Sequence, residues 1–355
     1  MALGGLLKNT VCFLCDGTAL ISGQIGDLEN AAVYEQFENL INSFIKNNKF
    51  KPQVIICDKH PDYLSTAFAD EYRQKNNIPV YKMQHHYAHL LSAMAENGYF
   101  KRAIGVIFDG TGYGDDGNIW GGEFIVGDFH RYKRAAYLSY RKLPGGDKAS
   151  REGYRMGISL LHEFMPESRI KKMYKGKNTE LILQMLNKNI NSPLTSSSGR
   201  IFDAVSSISG ICDVSSYEAE AAINLQKAAE NYTGNRNKPY SFEIKKDICG
   251  TYEIDIIPSI KAIIRDRAKQ TREYIAACFH MTMAEIIYKT VKKIAKNENL
   301  GTVALSGGVF QNSVLLKQIL YLLKKDKFNV LIHKKLTPSD SSISLGQAVY
   351  GALNF

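Results

Sequence analysis

The segment QHHYAH, residues 84–89, places three histidines within five positions at the start of an apolar helical pattern. His85 and His89 are four positions apart, so on a helix they share one face about one turn apart, a spacing that suits two ligands of one metal ion. His86 points to another side of the helix. Such a pair is also compatible with hydrogen-bonded or exposed histidines, and two ligands do not complete a site. A metal site therefore needs carboxylates from elsewhere in the chain.

Two aspartates are candidates for the remaining ligands. Asp109 ends the apolar run AIGVIF and opens DGTGYGDDG, and Asp340 lies at the entrance of the last helical pattern in TPSDSSISLG. The alternative is structural, with Asp109 as a turn residue and Asp340 as the N-terminal cap of a helix. A carboxylate that faces a metal cannot also fully cap a helix, so the two interpretations of Asp340 partly exclude one another.

Three glycine-rich turns provide backbone N–H groups that can approach an anion. They are ALGGLLKNT (2–10), DGTGYG (109–114) and LSGGVFQN (305–312). Lys8 in the first turn is a candidate phosphate partner. In the third turn a strand ends at Gly307-Gly308 and a helix begins near Asn312, an arrangement that favours a nucleotide. No Walker A or Rossmann spacing and no acyl-enzyme nucleophile motif is present. Together the turns indicate an ATP-like ligand bound between two lobes.

Composition places the chain among ordinary globular proteins, with 45% hydrophobic and 23% charged residues in 355. No apolar run is long enough to span a bilayer and no signal-peptide pattern is present, so the expected compartment is the cytoplasm. Cys12 and Cys15 would lie on opposite faces of a strand and leave no zinc site. The net charge of +10 is concentrated in surface-like stretches (169–177 and 325–335) without regular aromatic interleaving, which favours a basic face over a dedicated nucleic-acid surface.

Periodicity and turn signals predict a duplicated α/β unit with a mixed sheet. Residues 9–26 read as a hairpin that turns at Asp16-Gly17, followed by alternating helices and strands, and a similar order begins again at residue 103. The first lobe is expected to span 1–102, with the C-terminal helix 341–355 packing back onto it. The second lobe is expected to span 103–340, with a helical insertion at about 155–290 that is interrupted by a short β-like insertion near SFEIKKDICGTYEID.

Ten motifs, in order along the whole chain, resemble those of one family. They are ALGGLLKNT, GDLENAAVYEQFE, DKHPDYLST, QHHYAH, FDGTGYGDDGNIWGGEF, LPGGDKASRE, SSSGRIFDAVSS, YEAEAA, LSGGVFQN and SLGQA. The set resembles the C-terminal, Kae-like module of the hydrogenase maturation carbamoyltransferases (HypF). Antibiotic O-carbamoyltransferases and tRNA threonylcarbamoyl transferases share the architecture, but DGTGYG-D-DG-x-IWGGEF followed by LPGGD resembles the carbamoyltransferase branch.

The resemblance implies an actin/Hsp70/sugar-kinase-like (ASKHA) duplicated RNase H-like fold with ATP or an acyl-adenylate in its cleft. It implies one divalent metal, iron or zinc, with magnesium as a further candidate, held by His85, His89, Asp109 and Asp340. Carbamoyl-adenylate made by a YrdC-like domain, in cis or in trans, would be handed to this module. The carbamoyl group would then pass to the C-terminal cysteine thiol of a HypE-type acceptor protein, on the route to the cyanide ligands of [NiFe]-hydrogenase.

Carried over residue by residue, the resemblance implies three groups of nucleotide contacts. They are Gly110, Thr111 and Gly112 at the phosphates, Gly199, Asp203 and Glu218 near the ribose or base, and Gly307, Gly308 and Asn312 on the opposite wall. Lys8 and Arg151 are the candidate catalytic residues. The chain departs from the family pattern at Ser341-Ser342, where relatives commonly have glycines, and at REGYRMG after Arg151.

Two other functions share this architecture and stay open at this stage. One is a small-molecule O-carbamoyltransferase, and the other is a tRNA-modification-type nucleotide-binding protein, for which the charge of +10 is the main support. Because full-length HypF proteins carry acylphosphatase, zinc-finger and YrdC-like modules before this one, we expect that this chain cannot make carbamoyl-adenylate from carbamoyl phosphate alone.

Overall fold

The computed structural model describes residues 1–234 and 238–355 as an α/β fold. Its strands are β1 Cys12–Cys15, β2 Thr18–Ile21, β3 Ile55–Asp58, β4 Val80–Met83, β5 Ala103–Tyr113, β6 Ile119–Gly127, β7 Tyr132–Leu138, β8 Arg141–Lys142, β9 Leu194–Thr195, β10 Glu243–Lys246, β11 Tyr252–Asp255, β12 Thr302–Ser306 and β13 Asn329–Leu331. Its α-helices are α1 Ala31–Asn48, α2 Leu64–Asn76, α3 His85–Glu96, α4 Lys148–Arg151, α5 Gly153–His162, α6 Glu167–Met173, α7 Thr179–Lys188, α8 Ser198–Ile208, α9 Glu220–Glu230, α10 Ile257–Asp266, α11 Arg272–Glu298, α12 Ser313–Lys325 and α13 Ile343–Asn354.

The first 102 residues form a small sheet made of two strand pairs. β1 and β2 are an antiparallel hairpin, and its turn residues Asp16 and Gly17 have φ of 49° and 76°. A two-residue turn of this twist needs positive φ at both positions, so the predicted hairpin is confirmed. β3 and β4 are parallel, and Ala2 links the pairs by bridging to Cys12 and to Ile56.

A nine-stranded sheet forms the larger layer, with the order β10-β11-β7-β6-β5-β12-β13 and with β8 and β9 beside β6. β5 is antiparallel to β6 and parallel to β12, as a mixed sheet requires. The predicted short β-like insertion near SFEIKKDICGTYEID is confirmed as the antiparallel pair β10 and β11, and β11 also pairs in parallel with β7, so the insertion widens this sheet. Strand periodicity locates such a segment but does not reveal its pairing partner.

Two helices, α3 and α13, form the layer between the sheets and position the site. α3 contacts β5, β6 and β12, whereas α13 contacts β1, β2 and β3. They approach closely at Gly346, where a Cβ would lie 2.2 Å from the carbonyl oxygen of Ala88. Because α13 is fixed against α3 in this way, Asp340, three residues before α13, lies beside the first turn of α3. The boundary between lobes at residues 102 and 103 stays a prediction.

The other face of the nine-stranded sheet is covered by helices of the 153–298 region. Phe108 and Phe124 of the sheet share one apolar core with Phe202 of α8 and Phe279 of α11. The predicted helical character of about 155–290 is confirmed. Among the helices of the described ranges, none combines the length and the apolar character that crossing a membrane requires.

Candidate metal and nucleotide site

The two histidines of the HxxxH pair lie at the first two turns of α3, which begins at His85. Gln84 is the N-cap residue, and its side-chain oxygen accepts a hydrogen bond of 2.8 Å from the Tyr87 N–H. His85 and His89 are 1% and 0% exposed. Their Nε2 atoms are buried and have no hydrogen-bond partner in the described structure. An imidazole nitrogen buried in this state needs a proton acceptor, a proton or a metal ion as partner.

The carboxylate of Asp109 reaches these nitrogens from an irregular point in β5. The pairing of β5 with β6 shifts between Phe108 and Gly112, so residues 109–111 have no paired residues on β6. The Ser197 hydroxyl lies 3.0 and 2.6 Å from the carbonyl oxygens of Asp109 and Gly110. The Gly308 N–H donates to Asp109 Oδ1 at 3.0 Å. The β-bulge and these bonds turn the Asp109 carboxylate toward α3.

Asp340 supplies the fourth group from a 3₁₀ turn, Asp340–Ser342, just before α13. Its Oδ1 is 3.7 Å from His85 Nε2 and 3.5 Å from His89 Nε2. Asp109 Oδ2 is 3.5 and 3.3 Å from the same two nitrogens. No side-chain capping bond is formed at this turn or at the start of α13. The geometry therefore favours the interpretation of Asp340 as a ligand over that of a helix cap.

The four groups fit a single metal ion. Their ligand atoms all lie within 4.8 Å of one another. Corners of a tetrahedron about 2.1 Å from a central ion are roughly 3.4 Å apart, which matches the 3.3 to 3.7 Å between the imidazole nitrogens and the carboxylate oxygens. Asp109 Oδ2 is buried without a hydrogen-bond partner, like the two imidazole nitrogens. Imidazole and carboxylate donors suit iron, zinc and other divalent metals.

The electrostatics of the cluster favour bound positive charge. Burial alone would raise the pKa of Asp109, but the adjacent imidazoles of His85 and His89 hold it well below its usual range. Burial alone would lower the pKa of His85, but the charge of Asp58 and the nearby carboxylates of Asp109 and Asp340 raise it well above its ordinary value. Protons and a divalent metal therefore compete for the same nitrogens.

His86 lies apart from the cluster. The side-chain amide of Gln84 lies 3.1 Å from His86 Nδ1, and burial lowers the pKa of His86 well below its ordinary value. A Cβ on Gly112 would lie 2.5 Å from His86 Cε1 and 2.8 Å from His85 Cδ2. Among the described residues, the group suited to a metal contains the other two histidines and not His86.

A cavity of about 290 Å³ opens directly beside the four ligands. Asp109 and Asp340 form part of its wall, so the four-residue cluster and the cavity are continuous. Eight of the residues considered in the sequence analysis as nucleotide or phosphate contacts also line it. They are Lys8, Gly110, Thr111, Gly199, Asp203, Glu218, Gly308 and Asn312.

Three other predicted residues are not on the cavity wall. Gly112 lies against the histidine rings, as described above. Gly307 lets β12 approach β5, since a Cβ there would be 2.3 Å from the carbonyl oxygen of Phe108. Arg151 ends the short helix α4 with an exposed side chain, and its carbonyl oxygen accepts from the Ser215 N–H. The structure does not bring Arg151 to the cavity.

Lys8 crosses the mouth of the cavity to Glu218. Lys8 Nζ donates to Glu218 Oε1 at 2.7 Å, and the Glu218 side chain is 69% exposed. Burial would lower the pKa of Lys8, but this bond and the charges of Glu218, Asp340 and Asp109 raise it above its usual value. Lys8 is therefore a cation at the entrance, close enough to the aspartates to sense their charge.

Sequence reasoning missed two residues that shape this region. Arg200 lines the cavity and forms an ion pair of 3.1 Å with Asp203, whose pKa burial raises. Asp58 accepts a hydrogen bond of 2.7 Å from His85 Nδ1. Both residues lie in motifs of the resemblance, Arg200 in SSSGRIFDAVSS and Asp58 at the start of DKHPDYLST. A charged residue in such a motif was the available signal.

The fold and the site define an α/β domain of the Kae1-like class with a metal-ligand cluster beside a nucleotide-sized cavity. Two family models match the chain, "HypF Kae1-like domain" over residues 1–96 and "Carbamoyltransferase, Kae1-like Domain, second subdomain" over residues 105–347. The chain belongs to the HypF carbamoyltransferase family.

Individual relatives match along nearly the whole chain. A probable carbamoyltransferase HypF from Methanocaldococcus jannaschii is 32% identical over 98% of this chain and 46% of its own length. A carbamoyltransferase HypF homolog from Cupriavidus necator is 30% identical over 98% of this chain and 90% of its own length. A crystal structure of full-length HypF in the phosphate- and nucleotide-bound form superposes with a TM-score of 0.92 and 33% identity, over 100% of this chain and 46% of that chain. The chain thus spans about half the length of full-length relatives.

Proposed function

We propose that this chain is a carbamoyltransferase module that binds carbamoyl-adenylate in the cavity and transfers the carbamoyl group to the C-terminal cysteine thiol of a HypE-type acceptor. The observation that carries the proposal is that the cavity is continuous with the four-ligand cluster. Asp109 and Asp340 belong both to the four-ligand cluster and to the wall that Gly110 and Thr111 form. A phosphate bound on that wall would adjoin the ligands.

The proposed reaction joins the acceptor sulfur to the carbamoyl carbon and breaks the bond between that carbon and the phosphate oxygen, so that AMP leaves and the thiol proton is released to solvent. A divalent metal held by the four ligands would supply Lewis acidity toward carbonyl or phosphate oxygens. The unpaired backbone at residues 109–111 and the cation of Lys8 would stabilise negative charge on the departing AMP.

The nucleoside end of the ligand is proposed to lie toward α8 and α9. Asp203 Oδ2 is buried and has no hydrogen-bond partner among the described residues, despite its ion pair with Arg200, so it can accept from a ribose hydroxyl. Asn312 is already engaged, since its side chain contacts His280 and caps α12 through the Leu315 N–H. We therefore expect Asn312 to shape the wall and not to select the base.

The proposals for the acceptor protein and for the domain that supplies carbamoyl-adenylate are based on membership of the family. Relatives about twice as long as this chain are named HypF carbamoyltransferases, and we propose that a YrdC-like domain, in cis or in trans, supplies the carbamoyl-adenylate. All six cysteines of the chain are free, which supports a reducing, cytoplasmic setting. The two alternative acceptors, a small-molecule hydroxyl and a tRNA, become outcomes of the test.

The test supplies carbamoyl-adenylate and a peptide that ends in the cysteine of a HypE-type protein, and measures thiol carbamoylation by mass spectrometry. We expect carbamoylation by the wild-type chain and its loss in the double variant His85→Ala, His89→Ala. The matched control is His130→Ala, because His130 is an exposed histidine bonded to Asn354 outside the cluster. Wild-type inactivity toward the peptide, or full activity of the double variant, would contradict the proposal. Transfer to a hydroxyl compound or to tRNA alone would assign the alternative acceptors.

A further inference from the structure

A chain of hydrogen bonds runs from the back of His89 to a loop far away in sequence. His89 Nδ1 is 3.1 Å from Ser306 Oγ, and Ser306 Oγ is 3.0 Å from His333 Nε2. His333 Nδ1 is 2.7 Å from Glu96 Oε2. His89 and Ser306 are 0% exposed, and the side chains of His333 and Glu96 are 1% and 7% exposed. Apart from His89, none of the residues joined by these bonds belongs to the four-residue cluster or to the cavity wall of the described structure.

Glu96, at the far end of this series of hydrogen bonds, determines which group donates in each bond. Glu96 Oε1 accepts backbone N–H groups from Lys334 and Lys335 at 2.8 and 2.5 Å. Burial would raise the pKa of Glu96, but these bonds and His333 lower it, so the group is a carboxylate that only accepts. The proton in the bond between Glu96 and His333 therefore belongs to His333 Nδ1.

The remaining donors follow from that assignment. Burial lowers the pKa of His333 despite the nearby Glu96, so the ring is neutral and its Nε2 accepts. The Ser306 hydroxyl has one proton, which it donates to His333 Nε2. Ser306 Oγ must then accept from His89 Nδ1–H. The lone pair of the neutral His89 ring is left on Nε2, the atom that faces Asp109 and Asp340.

We propose that Ser306, His333 and Glu96 are positioning residues that fix the tautomer and orientation of His89 so that Nε2 is presented to the metal. His85 is held in the same way by a single residue, since its Nδ1 lies 2.7 Å from Asp58. A partner on the second ring nitrogen commonly fixes a metal-binding histidine, and its loss typically costs about 10- to 100-fold in metal affinity. The positioning role of these residues rests on the metal site of the proposed function. The direction of the hydrogen bonds is assigned without that site.

The first test reads the proton directly. In wild-type protein with ¹⁵N-labelled histidine, at a pH where His89 is neutral, two-bond ¹H–¹⁵N spectra are expected to show His89 protonated on Nδ1. Ser306→Ala is expected to produce a mixture of tautomers at His89 and to leave His85 unchanged. His333→Phe, which removes the acceptor beyond Ser306, is a second variant with the same expectation. A wild-type His89 protonated on Nε2, or a tautomer unaffected by both variants, would overturn the inference.

The second test measures zinc affinity by competition with a chromogenic chelator. We expect Ser306→Ala and His333→Phe each to lose about 10- to 100-fold in affinity, and Ser306→Thr, which keeps the hydroxyl, to recover most of it. Ser65→Ala is the matched control, because Ser65, on α2, is a buried serine with no hydrogen-bond partner among the described residues. Equal affinity in wild type, Ser306→Ala and His333→Phe would overturn the positioning role. A wild type that binds no metal at these ligands would instead refute the proposed metal site, while the spectra still decide the tautomer.

Discussion

The proposed metal end and the proposed nucleotide end of the cavity, called the metal end and the nucleotide end below, are built in opposite ways. At the metal end, His85 and His89 are buried, and each has its second ring nitrogen held by a buried partner, Asp58 or Ser306. At the nucleotide end, the wall includes glycine backbone, and the Lys8–Glu218 pair at its mouth is solvent-accessible. One end is fixed by side chains and the other is shaped by backbone.

This difference indicates a division of labour. Side chains that are locked before binding hold ligands at fixed separations and lose little freedom when an ion enters. Glycine backbone lets phosphate oxygens approach N–H groups closely without demanding one side-chain geometry. Changes at the metal end should therefore be severe and should affect folding or metal content, whereas changes at the nucleotide end should alter ligand affinity and leave the fold intact.

The largest effect should come from removing both imidazoles. In His85→Ala, His89→Ala we expect metal affinity to fall by more than about 10³-fold, or about 4 kcal/mol, because two of four ligands are lost. Nucleotide affinity measured without metal should change little. Calorimetric titrations with zinc and with ADP check both values. Retained zinc affinity would place the metal elsewhere.

His280, a buried histidine behind Asn312 of the nucleotide end, should make stability pH-dependent. Burial lowers the pKa of His280 from 6.5 to about 4, and its Nε2 lies 2.9 Å from the amide nitrogen of Asn312. Because the folded-state pKa lies below the unfolded-state pKa, the neutral form of His280 favours the folded state. This contribution to the free energy of unfolding, at most about 3 kcal/mol, is fully present above pH 6.5 and is lost as the pH falls toward 4. Urea unfolding of wild type and His280→Gln between pH 7.5 and 4.5 measures the difference. An equal loss in both proteins would contradict this assignment.

Alanine substitutions at two nearby glycines, Gly112 beside the histidine rings and Gly110 on the cavity wall, allow the two ends to be compared directly. Gly112→Ala would push a Cβ into the rings of His86 and His85, and we expect a loss of about 1–3 kcal/mol in unfolding free energy. In Gly110→Ala the nearest atom is Arg200 Nη2 at 3.6 Å, so stability should hold while nucleotide affinity falls. Thermal unfolding and ADP binding of both variants provide the readouts. Equal stability of the two variants would remove the distinction.

The smallest effect on stability should come from the pair at the mouth. An exposed ion pair contributes about 0–1 kcal/mol, so Lys8→Met should barely change the unfolding midpoint. Because Lys8 faces the cavity beside two aspartates, its loss should weaken nucleotide binding by about tenfold. Glu218→Gln distinguishes the ion pair from the phosphate contact of Lys8, since it removes the charge of the partner and keeps the lysine. Unchanged affinity in Lys8→Met would remove Lys8 from phosphate binding.

Local patterns in the sequence predict much of this architecture. The Asp16-Gly17 turn, the strand-helix alternation and the start of α3 at the histidines follow from turn chemistry and period, which act over a few residues. The pairing of β11 with β7 does not, because one strand pattern fits many partners. Ser306 and His333 could not be connected to His89 and Glu96 either, since they are 217 and 237 residues apart in sequence.

The candidate site divides in the same way. The spacing of His85 and His89 and the positions of Asp109 and Asp340 made all four candidate ligands, and the resemblance to a family favoured their combination. The bulge at residues 109–111 and the packing of Gly346 against α3 are what bring the four together. Both depend on tertiary packing and cannot be recognised from the local sequence, since glycine and aspartate are also common in ordinary turns.

The most direct test of the central claim is a crystal structure of the chain purified without chelator, with AMP added, in which anomalous scattering locates the metal. We predict one anomalous peak bonded to His85 Nε2 and His89 Nε2, with the AMP phosphate beside it against Gly110 and Thr111. A metal bound away from these histidines, or a phosphate bound away from the residue 109–111 backbone, would contradict the account.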